Sequence, residues 1–140
     1  MQPLLQATRD TTLDVMVRQA ATGALGSVPS VLALASASAL LHQPDVHRAA
    51  LSAISRLGDA RLARRHGREA LAKQAMGELV EYAVATDRST LEVDAVARAV
   101  VGCALTPASL QQAAKRLQKV HPALSAQLEK HARLQARRRR

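Results

Sequence analysis

Arg61, Arg64, Arg65 and Arg68 are the residues whose type and spacing speak most directly of chemistry. They fall at i, i+3, i+4 and i+7, one face of a helix, and guanidiniums in line can neutralise phosphates through charge-assisted hydrogen bonds. A second cationic group, Lys115, Arg116 and Lys119, precedes a terminal run of Arg137, Arg138, Arg139 and Arg140. Binding through such groups falls steeply with salt and carries little sequence preference. With one Tyr and neither Trp nor Phe, the chain lacks the aromatic platforms on which single-stranded bases stack.

The other reactive residue types do not assemble into a reaction. His42, Asp45 and His47 cluster around Pro44, but their intervals match no common zinc pattern, and Asp is ordinary near a helix start. His66, His121 and His131 lie among Arg and Lys and are expected to extend the basic surface. Cys103 is the single cysteine; it excludes an internal disulfide and is expected to be a small buried hydrophobe after Val100 and Val101. No glycine-rich phosphate loop, paired catalytic carboxylates or nucleophile elbow is present. The expectation is a protein that is not an enzyme and holds no metal or cofactor.

The elements that must carry these residues read as helices. The arginine line, continued forward, holds Ala72, Ala75, Met76, Leu79 and Ala83. A straight helix would aim four guanidiniums along the line that buries Leu79, at several kcal/mol per uncompensated charge. The sequence therefore predicts a break or kink at Gly67, or an overhang into solvent. Upstream, residues 1–9 read as a loose leader. A first helix opens at Thr11, with Asp14 as a weak capping box, and Leu13, Met16, Val17, Ala20 and Ala21 form its apolar face up to Gly23 and Gly26. A second helix, capped by Ser27 or Ser30, is apolar or small on every side through Val31, Leu32, Leu34, Ala35, Ala39, Leu40 and Leu41, the pattern of a central core helix. A third restarts at Pro44-Asp45 and stops at Gly58.

Asp59 caps the arginine segment, and a longer helix follows to about Thr86. Ser89 and Glu92 have the spacing of a capping box ahead of Val93, Val96, Ala97, Val100 and Val101. Thr106-Pro107 opens a helix with Leu110, Ala113, Ala114 and Leu117 inward, and a last helix after His121-Pro122 carries Leu124 and Leu128. The architecture predicted is all-α: a compact bundle of six to seven short helices over residues 1–136 as one domain, with residues 137–140 as a mobile basic arm.

Composition fits this reading. The 140 residues suit one core. The hydrophobic fraction, 48%, is supplied by Ala, Leu and Val, so contacts are thin and numerous. The balance of 20 Lys and Arg against 11 Asp and Glu, net +9, favours a polyanionic or acidic partner. The charge is segregated: residues 115–140 hold one acid, Glu129, whereas Glu78, Glu81, Asp87, Glu92 and Asp94 cluster around Arg88. Val28 to Leu41, the most apolar stretch, is too short and polar to span a bilayer. No membrane association is expected, and the expected compartment is the cytoplasm.

The run from Gly77 to Val101, GELVEYAVATDRSTLEVDAVARAVV, resembles the end of the central helix, second loop and third helix of the histone fold. The points of likeness are Arg88 and Thr90 in an R-x-T turn after a long helix and a following helix ending in Ala-Val; DARLARR at Asp59–Arg65 is similar in position to the start of that central helix. The resemblance implies dimerisation through the long helix and DNA phosphate contacts by Arg88 and Thr90. Taken together, the sequence predicts a non-catalytic basic helical protein that binds nucleic acid backbone, as a small subunit of a nucleoprotein assembly. The alternative is a protein-protein interaction module: an adaptor, chaperone or self-assembling subunit that forms a homo-oligomer or meets an acidic protein partner.

Overall fold

The computed structural model describes residues 2–10 and 14–138. Among them are nine α-helices, one 3-10 turn and no strand. Helices outnumber the expected six or seven for two reasons. The supposed leader is helix α1 (Gln2–Arg9), held by buried Leu5 and by Thr8, whose hydroxyl donates to the Leu5 carbonyl at 2.7 Å. The arginine segment is also a helix of its own, α5 (Ala60–His66), separate from α6 (Glu69–Ala85). The chain divides at Leu57/Gly58 into two compact units.

In the first unit, α2 (Val15–Ala24), the 3-10 turn Leu25–Ser27 and α3 (Val31–Leu40) all pack on α4 (His47–Leu57). The hub is α4, which buries Ala50, Leu51, Ala53, Ile54 and Leu57, and not α3 as expected. Helix α3, capped by the Ser30 side chain on the Ala33 N–H at 3.0 Å, buries Leu34, Ala37 and Leu40 but leaves Val31 and Leu32 exposed. Gly26 lets the 3-10 turn lie against α4; a Cβ there would stand 3.1 Å from the Ala53 Cα.

Helix α2 differs most from its predicted face. Asp14 is its cap, accepting from the Met16 N–H at 2.8 Å; Thr11 and Leu13, expected at its start, lie outside the described residues. Met16, Val17 and Ala20, expected inside, are exposed, and the buried line is Arg18, Ala21, Thr22 and Leu25. The cause is Arg18, which donates to the Asp45 carboxylate and, at 2.7 Å, to the Gln43 side-chain oxygen. Gln19 reinforces the join by donating to the Asp45 carbonyl at 2.8 Å. Placing a cation inward rotates the helix by about one residue (100°) from its most apolar face.

In the second unit, α6 packs on α5, on α7 (Val93–Cys103) and on α8 (Pro107–Leu117), while α9 (Pro122–Arg138) packs on α7 and α8. The helix faces here follow the sequence pattern. Ala72, Ala75, Met76, Leu79 and Ala83 of α6 are buried, as are Leu110, Ala113, Ala114 and Leu117 of α8 and Leu124 and Leu128 of α9. Each fully buried Leu contributes about 1.5–3 kcal/mol relative to exposure. Thr106 caps α8 through a capping box with Ser109. The box expected at Ser89 and Glu92 does not form: residues 88–90 are a turn and α7 begins at Val93 without a side-chain cap.

The break between α5 and α6 falls at Gly67, the position the sequence singles out. Gly67 adopts φ 67°, ψ 36°, and both its N–H and that of Arg68 donate to the Ala63 carbonyl. This left-handed cap ends α5 and redirects the chain, so the α6 line can face inward without the arginines following it.

Two expected outcomes test these assignments. Gly67→Ala should destabilise by about 1–2 kcal/mol, the cost of a left-handed L-residue, whereas Gly77→Ala, in open space within α6, should stabilise by about 0.5–1 kcal/mol; urea unfolding of both variants reads the contrast. Asp45→Asn should cost roughly 2 kcal/mol, below the usual loss on breaking a buried pair because the Asp45 side chain is 36% exposed. Arg18→Met should cost less than Asp45→Asn, since it leaves no unpaired cation inside. Equal losses in the two would show that the ion pair is not what holds α2.

Candidate nucleic-acid interface

Some of the cationic residues are tied to backbone carbonyls or to side-chain oxygens, and others face solvent. On α5, a seven-residue helix capped by Asp59 on the Leu62 N–H at 3.1 Å, buried Ala60 and Ala63 turn Arg61, Arg64 and Arg65 outward. Arg64 is engaged, donating to the Leu105 carbonyl. Arg61 and Arg65 have no side-chain partner among the described residues. Arg68 is not part of that face: beyond Gly67 it is the half-buried N-cap residue of α6. The predicted line of four is thus three arginines on α5, of which two are free.

On α8, Lys115 and Arg116 are exposed, as is Lys119 in the turn after it. Arg116 pairs with Glu81 at 3.2 Å, with both side chains more than half exposed, a contact worth about 0–1 kcal/mol at most. The carbonyls of Lys119 and Val120 accept from Arg88, at 2.9 and 2.7 Å. Arg88 therefore closes the open end of α8, and the Thr90 hydroxyl donates to the Asp87 carbonyl at 3.1 Å.

Helix α9 carries the most regular cationic face. Leu124, Leu128 and Ala132 are fully buried at four-residue intervals. On the opposite side Lys130, Arg133 and Arg137 are exposed at i, i+3 and i+7. Arg137 and Arg138 form the last turn of this helix, where cations are favoured by the helix dipole, so they are not part of an arm; Arg139 and Arg140 lie outside the described residues. Lys130 and Arg133 were not among the expected site residues. Their signal is the register set by Leu124 and Leu128, which places them opposite the core.

His121 corrects the expectation of a surface histidine. It is 3% exposed, and its Nε2–H donates to the Ala83 carbonyl at 2.6 Å, joining the end of α6 to the start of α9. Ser125 adds a bond from its hydroxyl to the Ala114 carbonyl at 2.7 Å, fixing α9 on α8. His66 is exposed and His131 half-buried.

Around the Pro44 cluster, Asp45 is held by Arg18 and the His47 Nδ1–H donates to the Leu41 carbonyl at 2.8 Å. Among the described residues no group of three His, Cys, Asp or Glu is placed to hold a metal, and no helix is long and apolar enough to cross a membrane.

No family model, curated protein or solved structure matches the chain.

Net charge separates with the two units. Residues up to Leu57 carry Arg9, Arg18, Arg48 and Arg56 against Asp10, Asp14 and Asp45, a net +1, so +8 of the +9 belongs to the residues from Gly58 on. From Pro107 to Arg138 the only acid is Glu129. Acidic side chains of the second unit, Glu78, Glu81, Asp87, Glu92 and Asp94, are exposed on α6, α7 and the turn between them.

Cys103 is 1% exposed. Burial pushes its thiol up to about 12, with the Asp59 carboxylate acting in the same direction. Burial likewise raises the Tyr82 phenol, partly countered by its hydrogen bond with Thr86 and assisted by Glu92. Both groups hold their protons longer folded than unfolded, so their contribution to stability is complete below the unfolded value and is lost as pH rises toward the folded one. For Cys103 that window runs from about 9 to about 12. The urea midpoint should fall progressively above pH 9, and Cys103→Ala should flatten that fall while leaving stability at pH 7 lowered by no more than about 1–2 kcal/mol.

Proposed function

We propose that the second unit, residues 58–140, binds the phosphate backbone of nucleic acid without catalysis, through the solvent face of α9 and the cations at the end of α8. The observation that supports this most is the stripe Lys130, Arg133 and Arg137, opposite the buried Leu124, Leu128 and Ala132, with Glu129, one turn before Arg133, the single acid on the helix. Three aligned cations on a rigid helix hold their charges at fixed spacing along a polyanion, unlike the same charges on a loose tail. Arg61 and Arg65 on α5, with Lys115 and Lys119, extend the cationic surface. Arg64 and Arg88 are excluded from the primary role, being bonded to backbone carbonyls. The histone-fold likeness would add dimerisation and a phosphate role for Arg88 and Thr90, and it enters this reading as analogy only.

The test is fluorescence anisotropy with a labelled DNA duplex and a labelled single strand between 50 and 300 mM salt. The whole chain should bind both, with affinity falling linearly on a log–log plot. Lys130→Glu, Arg133→Glu and Arg137→Glu together should weaken duplex binding at least tenfold at 100 mM salt. The salt slope should become shallower by about 0.9 for each phosphate that the variant no longer neutralises. Unchanged affinity in this triple variant, with circular dichroism intact, would overturn the reading.

A second reading, a protein-protein interaction module, is favoured by the near-neutral first unit. There Val15, Met16 and Val17 on α2 and Val31 and Leu32 on α3 are between 45% and 77% exposed, more apolar surface than scattered exposed residues require.

A further inference from the structure

We propose that a cleft within the second unit binds a small amphipathic anion, with a medium-chain carboxylate as the simplest example. The cleft lies between α6, the end of α7 and the start of α8 and has a volume of about 310 Å³. That is the lower end of the range for small-molecule sites, which suits a compact ligand better than a nucleotide-sized cofactor.

Its chemistry is two-sided. Met76, Leu105 and Ala108 supply apolar wall, with the protonated Cys103 thiol beside them. Met76 sulfur and methyl can adapt to an irregular hydrocarbon. Lys73 and Gln112 supply the polar side, and neither has a side-chain partner among the described residues. The other two polar lining groups, Thr106 and Ser109, are already bonded to each other as the α8 cap. They therefore contribute shape more than binding capacity.

Charge decides the class of ligand. No carboxylate lines the cleft, Lys73 is its one cationic lining residue, and a second cation, Arg64, reaches its wall by donating to the Leu105 carbonyl. Lys73 and Gln112 are exposed at the rim of the cleft, so a carboxylate there gains a charge-assisted contact that a neutral amphiphile lacks. A carboxylate accepts from Lys73, while Gln112 can donate to its second oxygen. The hydrocarbon then covers Met76 and Leu105. The site does not rest on the nucleic-acid reading, because none of the α9 stripe lines it.

The test uses the full chain labelled with 13C at the methionine methyls, assigned with Met16→Leu and Met76→Leu, and titrated with sodium octanoate. The Met76 signal should move saturably while that of exposed Met16 stays still. Octanol should bind at least fivefold more weakly than octanoate, and Lys73→Glu should abolish that preference, with Lys73→Gln as the milder variant should the reversal unfold the protein. A linear, unsaturable shift, equal movement of Met16, or octanoate affinity unchanged by either Lys73 variant would overturn the proposal.

Discussion

The constraint that shapes this protein is a core made almost wholly of Ala, Leu and Val. Small side chains let helices approach closely but give little shape with which to lock one helix against the next. That task passes to long polar side chains reaching across elements to backbone carbonyls and side-chain oxygens. In the first unit Arg18 and Gln19 tie α2 to the segment before α4 through Gln43 and Asp45. In the second, His121 reaches Ala83, Ser125 reaches Ala114, Arg88 reaches Lys119 and Val120, and Arg64 reaches Leu105. Several of these acceptors are carbonyls at or just past helix ends, where no intrahelical donor remains. One set of bonds thus fixes helix position and satisfies the chain's open termini.

A consequence is that the cationic count overstates the cationic surface. Arg18, Arg64 and Arg88 are structural ties, and Arg116 is partly neutralised by Glu81. What is left free is concentrated on α9, at the end of α8 and on α5. The acids on α6 and α7 give the second unit an opposite character on those elements. That polarity places the negative potential of the second unit on α6 and α7.

Helical class, the break at Gly67 and the inward faces of α6, α8 and α9 were legible in the sequence because periodicity and one glycine carry them. The mistaken faces share a physical origin. Met16 and Val17 read as core because hydropathy assigns Arg outward, yet a guanidinium with two acceptors outcompeted them for the inside of α2. His121 read as surface from its basic neighbours, although one carbonyl partner suffices to bury an imidazole. The all-apolar α3 read as central because composition alone says how sticky a helix is, not how many neighbours it will have. The α9 stripe needed the register of its leucines, which the run of terminal arginines overshadowed.

Tyr82, the lone aromatic residue of the chain, is buried on α6 in the second unit. The protein therefore has a single intrinsic chromophore of any strength near 280 nm, and it views one half of the molecule. Tyrosine emission and near-ultraviolet dichroism follow the melting of residues 58–140, while residues up to Leu57 unfold in optical silence, visible to backbone dichroism alone. Any difference between the two signals on heating is a direct measure of how far the halves fold as one cooperative system.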